Sequence, residues 1–364
     1  MAAASKKLVE MNDGNTELAL NHQVIRPNGK HFGGIAAGPL GIPRPSHTGT
    51  GQFIASMTSS LIDPDSKYYR DPGLLERLGY AVKYMLANQH EDGTISPGWT
   101  NFHSPPDTGF VVVGMCQVYE VLRRSGWEPL QPIAEDVKRF LERTIPAMVT
   151  GGCHTPNHRW VMTAALASLY HIFRDDRLVS RADEWLAEGI DCTDDGEWTE
   201  RSNAIYNTVS DIMLYYTARF LNRPELLDWV RKNLNVMIYL MHPNGDAVTE
   251  YSERQDFGTN NDLSEYYLSY RFMAAMDKNP LFAAMADRIE QQLSRLGPIN
   301  NHAMLGVLAF PDMDPDGVER AELPDRYEKI INEHYPVEEN QRLMEQTGHH
   351  GKVLHTRIHA AFGS

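Results

Sequence analysis

The feature that most limits what this chain can fold into is the even spacing of its turn signals. Asp92-Gly93, Gly151-Gly152, Asp195-Gly196, Asn244-Gly245 and Gly297-Pro298 succeed one another with glycine-to-glycine gaps of 58, 45, 49 and 52 residues. Such dipeptides punctuate structure because glycine reaches backbone conformations closed to other residues. Each gap holds two segments with apolar residues at helical spacing. A helix pair recurring about every 50 residues predicts a solenoid or a closed ring of hairpins.

The helical signal starts at Asp71. DPGLLERLGYAVKYMLANQ carries Leu74, Leu75, Leu78, Ala81, Val82, Met85 and Leu86, the i, i+3, i+4, i+7 pattern of an amphipathic helix with a proline near its start. Further helices are expected at Phe110–Arg124, Ile133–Arg143, Trp160–Phe173, Ser180–Glu188, Ala204–Phe220, Pro224–Met241, Leu263–Met276 and Asn279–Leu296. Strand-like alternation is nearly absent, so the fold class is all-α. Polar and aromatic residues collect at one end of every pair, in TISPGWTNFHSPPDT, CHTPNHRW, GEWTERSNAIYN, DAVTEYSERQDFGTNN and INNHA. Broad apolar helix faces and one polar end favour an (α/α) toroid, an incomplete or closed ring of helical hairpins, over an open HEAT- or TPR-like array.

Three regions follow. Residues 1–70 read as an irregular N-terminal arm, because KHFGGIAAGPLGIPRPSHTGTGQF is too rich in Gly, Pro, Ser and Thr for long helices. It is expected either to wrap the ring or to form a site rim, with His47 its most noticeable polar residue. Residues 71–310 are the expected toroid catalytic domain. Residues 311–364 form a polar tail with one helix around Arg326–His334.

Composition narrows the function. A formal charge of −14 argues against a general nucleic-acid binder. An acidic protein still takes an acidic polymer through arginines and histidines focused in a cleft. Three cysteines, Cys116, Cys153 and Cys192, make neither a disulfide framework nor a CxxC pair, so free thiols are expected. MAAASKKLVEMNDG lacks the apolar run of a secretory signal, and no stretch is long enough to span a membrane. Phosphate-loop, dinucleotide, HExxH and GxSxG motifs are absent, and no cofactor is expected. His349-His350, His355 and His359 lack the Cys or carboxylate spacing of a metal site, so no metal is expected either.

Two polar clusters open two of the expected helices. The first is Asn157, His158 and Arg159, just before Trp160; the second is Glu200, Arg201, Asn203 and Tyr206. Helix starts collect ligand-facing groups because their first N–H donors are unpaired. Asn donates without bringing charge, His shuttles a proton and Arg pairs with an anion. Tyr206 follows His158 by 48 residues, about one repeat, which brings it to the mouth of the adjacent hairpin. A phenol, with an ordinary pKa of about 10, becomes a base when a cation such as Arg201 or His158 stands beside it. The alternatives are a helix-capping Asn157 and a core-packing Tyr206. His103, Tyr251 (beside Glu250 and Arg254) and His302 are mouth-side groups that either contact substrate or support the loops. Trp160, like Trp99, Phe102, Trp198 and Tyr251, suits stacking on a sugar ring or packing in the core. Asp107, Asp195, Glu197, Glu200 and Glu250 leave a two-carboxylate hydrolase open.

Taken together, these motifs resemble the toroid domain of the heparinase II/III-like polysaccharide lyases, a group that includes alginate and heparan lyases. The resemblance rests on Asn157-His158 at a hairpin mouth, then Asp195-Gly196 and Tyr206 one repeat later. It covers roughly residues 70–310. It implies cleavage of a uronic-acid-containing polysaccharide or oligosaccharide by β-elimination. Asn157, with Arg159 or Arg201, neutralises the uronate in that scheme, while Tyr206 and His158 divide the base and acid roles. Glu200, Asn203, Arg201, Arg159, Trp160, His103, Tyr251 and His302 then line the substrate path. Those lyases usually carry a β-sandwich after the toroid, and nothing after Pro311 reads as one. An unsaturated-uronyl hydrolase on the same ring and a non-catalytic carbohydrate-binding toroid are the competing readings.

Overall fold

The computed structural model describes residues 4–332, with Arg342 and Gln346 beyond them. Among these residues there are twelve α-helices, a few short 3-10 turns and only isolated β-bridges. The helices are α1 Lys6–His22, α2 Thr50–Ile62, α3 Pro72–Ala87, α4 Pro105–Arg124, α5 Gln131–Thr150, α6 Pro156–Phe173, α7 Asp176–Ala187, α8 Tyr206–Leu221, α9 Leu227–Met237, α10 Tyr267–Asp277, α11 Pro280–Gln292 and α12 Ala303–Ala309.

Odd and even helices differ in how they are buried. The odd-numbered α7 buries only Leu178, Ala182 and Trp185, one stripe at helical spacing. The even-numbered α8 buries every residue from Asn207 to Ala218, and α6 every residue from Trp160 to Leu169. Helices buried all round belong to an interior layer. Each even helix packs on the next: α2 on α4, α4 on α6, α6 on α8, α8 on α10, and α10 on α12, which returns to α2. The odd helices cover them from outside. The fold is therefore a closed (α/α) toroid of six hairpins. Some interior hydroxyls are satisfied within their own helices: Thr163 donates to the Arg159 carbonyl at 2.7 Å and Thr217 to Met213 at 2.9 Å.

Three expectations are corrected. Residues 1–70 are not irregular throughout, because α1 and α2 form the first hairpin. Val9, Asn12, Thr16 and Ala19 bury one face of α1; Asn12 Nδ2 donates to Ser60 Oγ at 2.8 Å, tying it to α2. The glycine- and proline-rich stretch is confined to the connector 23–49. The helix expected around Arg326–His334 is also missing, since 326–332 are extended or bent; the rest of it, and the tail histidines, lie outside the described residues. Finally, α12, which sequence reading passed over, closes the ring.

The turn glycines link one hairpin to the next. Gly93, Gly196, Gly245 and Gly297 all have positive φ, between 84° and 95°. At Gly93 an added Cβ would lie 1.9 Å from the Arg143 carbonyl oxygen in α5, and at Gly196 it would lie 2.3 Å from that of Lys232 in α9. Each of these two turns thus sits against the following outer helix. Asn233 Nδ2 closes one such joint by donating to the Gly196 carbonyl at 2.7 Å.

His302 caps α12 from inside. Its Nδ1 accepts from the Leu305 N–H at 3.3 Å, so Nε2 carries the proton and donates to Ser56 Oγ at 2.9 Å. Burial drives its pKa down to about 3. A histidine held neutral in the fold, but free to protonate at about 6.5 when unfolded, stabilises fully above the upper value. That contribution is lost as pH falls toward the lower one. Between about pH 7.5 and 5 the loss amounts to about 2 kcal/mol. Urea unfolding across this range should be flatter with pH in His302→Gln than in wild type; equal slopes would dismiss His302 as the source.

Candidate active site

All six inner helices start at the same end of the ring, so their unpaired N–H groups converge on one mouth. The connectors between outer and inner helices supply its side chains. Bridges Ile95 to Ser104, Cys192 to Trp198 and Met241 to Ala247 pin three of these connectors as short loops.

Glu200 is the hub. It reaches from the α7–α8 connector to the start of α6, where the Asn157 backbone N–H donates to its carboxylate at 2.8 Å. Asn157 Nδ2 donates to both carboxylate oxygens at 2.9 Å. Arg254, from the α9–α10 connector, closes an ion pair on the same group. Glu200 therefore caps α6 from the neighbouring hairpin. Burial pushes its carboxyl up, while the Asn157 hydrogen bonds and the Arg254 charge pull it back. Asp256 repeats the device one hairpin on, accepting the Ala204 N–H at 3.0 Å and the Ser202 hydroxyl at 2.9 Å just ahead of α8.

Arg254 also covers Tyr206, its guanidinium carbon 4.2 Å from the ring centroid. This is cation–π range, with the phenol at the first position of α8. His158, at the start of α6, is edge-on to Phe110 with centroids 5.9 Å apart. Burial lowers the His158 pKa below its ordinary value, against the pull of Asp107 and helped by Arg254. Its imidazole is thereby neutral, the form that accepts a proton. His47 stacks on Phe110 at 4.6 Å, and burial drives it down to about 4. Asp107 opposes that shift also, so one carboxylate acts on both imidazoles. It is held at the first turn of α4 by Ser104 Oγ at 2.5 Å and Asn101 Nδ2 at 3.0 Å.

The structure thus joins Asn157, His158, Glu200 and Tyr206, and adds three residues that sequence reading ranked low: Arg254, Asp107 and His47. The repeat could have found Arg254. It follows Tyr206 by 48 residues, the same step that separates Tyr206 from His158.

Other expected substrate contacts fall elsewhere. Trp160 and His302 are fully buried and Asn203 is 1 % exposed, so none has surface for a ligand, and that expectation is corrected. Asn203 Nδ2 instead donates to the Val248 carbonyl and the Tyr251 hydroxyl, both at 2.8 Å. That bond ties Tyr251 into loop packing, and burial raises its phenol. Arg159 is paired with Glu188 and Asp191 and lies over Trp160, away from the Glu200 hub. Arg201 pairs with Glu197 and Glu253 on the rim. His103 is exposed, stacks on His90 at 3.8 Å and contacts Asp92 through Nδ1 at 2.8 Å. No group of three His, Cys, Asp or Glu among the described residues is arranged to hold a metal. No described helix is long and apolar enough to cross a membrane.

Ring and mouth together define the chain as an α/α toroid with a polar site at the inner-helix starts. A Streptomyces coelicolor chondroitin AC lyase, solved in complex with chondroitin sulphate, has this fold: TM-score 0.55 at 14% identity, covering 89% of this chain and 47% of that one. This chain therefore spans about half the length of that enzyme. Two looser overlaps are a D-mannose isomerase (TM-score 0.49, 13% identity, 85% of this chain and 97% of the other) and a polysaccharide lyase (0.47, 12%, 86% and 98%). No family model and no curated protein matches the sequence.

Proposed function

We propose that the protein is a carbohydrate-active enzyme, and within that class a lyase that cleaves a uronic-acid-containing polysaccharide by β-elimination. The observation that carries this reading is the Arg254 guanidinium, fixed by Glu200 over the Tyr206 ring and beside a neutral His158. The short motifs resembling heparinase II/III-like lyases fit it, as does the likeness of fold to a chondroitin lyase.

In this reading the uronate carboxylate meets Arg254 at the mouth. His158 takes the C-5 proton, and the electron pair left behind is delocalised into the carboxylate, where Arg254 stabilises the added charge. The pair then forms the C4–C5 double bond as the C4–O bond breaks. The Tyr206 hydroxyl protonates the departing oxygen. Asn157 changes role from the sequence-based scheme. Its amide nitrogen is committed to Glu200, so it is a positioning residue; Arg254 meets Glu200 through Nη1 alone and is assigned the neutralising role through the rest of its guanidinium.

Hydrolysis is the second reading, favoured by one observation: Asp107 is a buried carboxylate acting on two histidines. Ultraviolet absorbance and reducing-end assays on a panel of uronate polymers separate the two. The lyase reading expects new absorbance from unsaturated ends, with Asp107→Asn keeping measurable elimination. New reducing ends without absorbance, lost in Asp107→Asn but kept in Tyr206→Phe, would replace elimination with hydrolysis.

A further inference from the structure

Beside the mouth, the α1–α2 connector walls a second cleft of about 320 Å³. Leu18, Ile35, Leu40, Ile42 and Phe53 give it a hydrocarbon lining, and Arg44 and Trp99 form its polar edge. Three features set it apart from ordinary surface. Leu40 and Ile42 are 68 % and 52 % exposed on adjoining wall positions, an apolar pair left to solvent. The Arg44 guanidinium lies 5.0 Å over the Trp99 ring and has no carboxylate partner among the described residues, whereas the mouth arginines Arg159, Arg201 and Arg254 are all ion-paired. Ser46, which also lines the cleft, is 1 % exposed, and its hydroxyl is buried without a hydrogen-bond partner.

We propose that this cleft is a binding site for a small amphipathic anion: one carboxylate or sulfonate on an alkyl or aryl body. Small-molecule sites are mostly apolar concavities of about 300–1,000 Å³ with a few placed polar groups, and this one lies at the small end. The anionic group meets Arg44, with Ser46 as a second donor, and the body lies along Trp99 and the aliphatic wall. Sugars are disfavoured because most of the wall offers them no hydrogen bonds. The inference is independent of the lyase reading. The cleft is built largely on two of the connectors that also frame the mouth, and His47 lies between its lining residues Ser46 and Thr48.

The test uses the full chain and the fluorescent aryl sulfonate 8-anilinonaphthalene-1-sulfonate, displaced by octanoate, octanol or glucuronate. The expected result is saturable fluorescence at one site, displaced by octanoate and at least about tenfold less well by the other two. Arg44→Met should weaken octanoate by about tenfold or more with unchanged thermal unfolding, and Arg44→Lys should recover part of that loss. Ile42→Glu, at an exposed position, sets a carboxylate near Arg44 and should abolish displacement by octanoate. Three outcomes would overturn the proposal. Absence of saturable binding removes the site; equal displacement by octanol reduces it to an uncharged apolar patch; stronger displacement by glucuronate assigns it to a sugar path.

Discussion

Tyr206→Phe is expected to lower kcat on a cleaved uronate polymer by about 10³-fold while leaving the fold and the thermal unfolding midpoint unchanged. The separation of these effects follows from geometry. Arg254 contacts the ring face at 4.2 Å, and phenylalanine presents the same face, so the cation–π contact survives. The Tyr206 backbone N–H, which donates to Ser202 Oγ at 3.0 Å, is untouched. Only the hydroxyl is lost, and with it the proton that the proposed mechanism delivers to the leaving oxygen. Because the acid acts in the transition state, KM should move little. Arg254→Met should show a different pattern, with KM and kcat both worsened, since the cation meets the carboxylate before and during reaction. A Tyr206→Phe enzyme with wild-type kcat would remove the acid role from this residue.

The second large effect concerns folding. Gly196→Ala is expected to destabilise the protein by about 3 kcal/mol or more. Its φ of 93° is strained for any L side chain, and the new methyl would lie 2.3 Å from the Lys232 carbonyl oxygen. Neither atom has room to yield, because Lys232 is in α9 and Asn233 bonds back to the same turn. Gly189 provides the control: its φ is 86°, but nothing lies within 4 Å of an added Cβ. Gly189→Ala should therefore show the backbone term alone, about 1 kcal/mol. Similar urea midpoints for the two variants would mean that close packing of the turn on α9 contributes nothing.

Periodicity made the ring legible. Its glycine spacing reflects a physical repeat: at Gly93 and Gly196 the turn sits so close to the next outer helix that the contact excludes a side chain. Helix starts were read several residues late, as at Phe110 for α4 and Trp160 for α6, because the first turns, PPDTG and PNHR, are polar or proline-bearing. These are the turns that face the mouth, so the residues most relevant to function were those that weakened the helical signal. The first hairpin was missed for a related reason: α2, TGQFIASMTSSLI, is rich in Thr, Ser and Gly, and most of its hydroxyls are used in contacts with other elements, Ser60 with α1 and Ser56 with His302, which no local pattern announces. Trp160 and His302 were misread as ligand contacts because sequence cannot distinguish an aromatic or imidazole at a helix start that faces the mouth from one that faces the core. Glu200 was expected to line the substrate path, but its role as the cap of α6 depends on contact between hairpins, which no local pattern encodes.

The all-round burial of the inner helices has a consequence for traffic. A helix that borders a water-filled bore keeps one stripe exposed, and α2, α4, α6, α8 and α10 each bury long unbroken runs instead. The ring is plugged. A polymer cannot be threaded through it like a bead on a string, so any long ligand bound there enters from the mouth side alone. Arrival and departure share a single doorway, and a fragment that lingers there blocks the next chain.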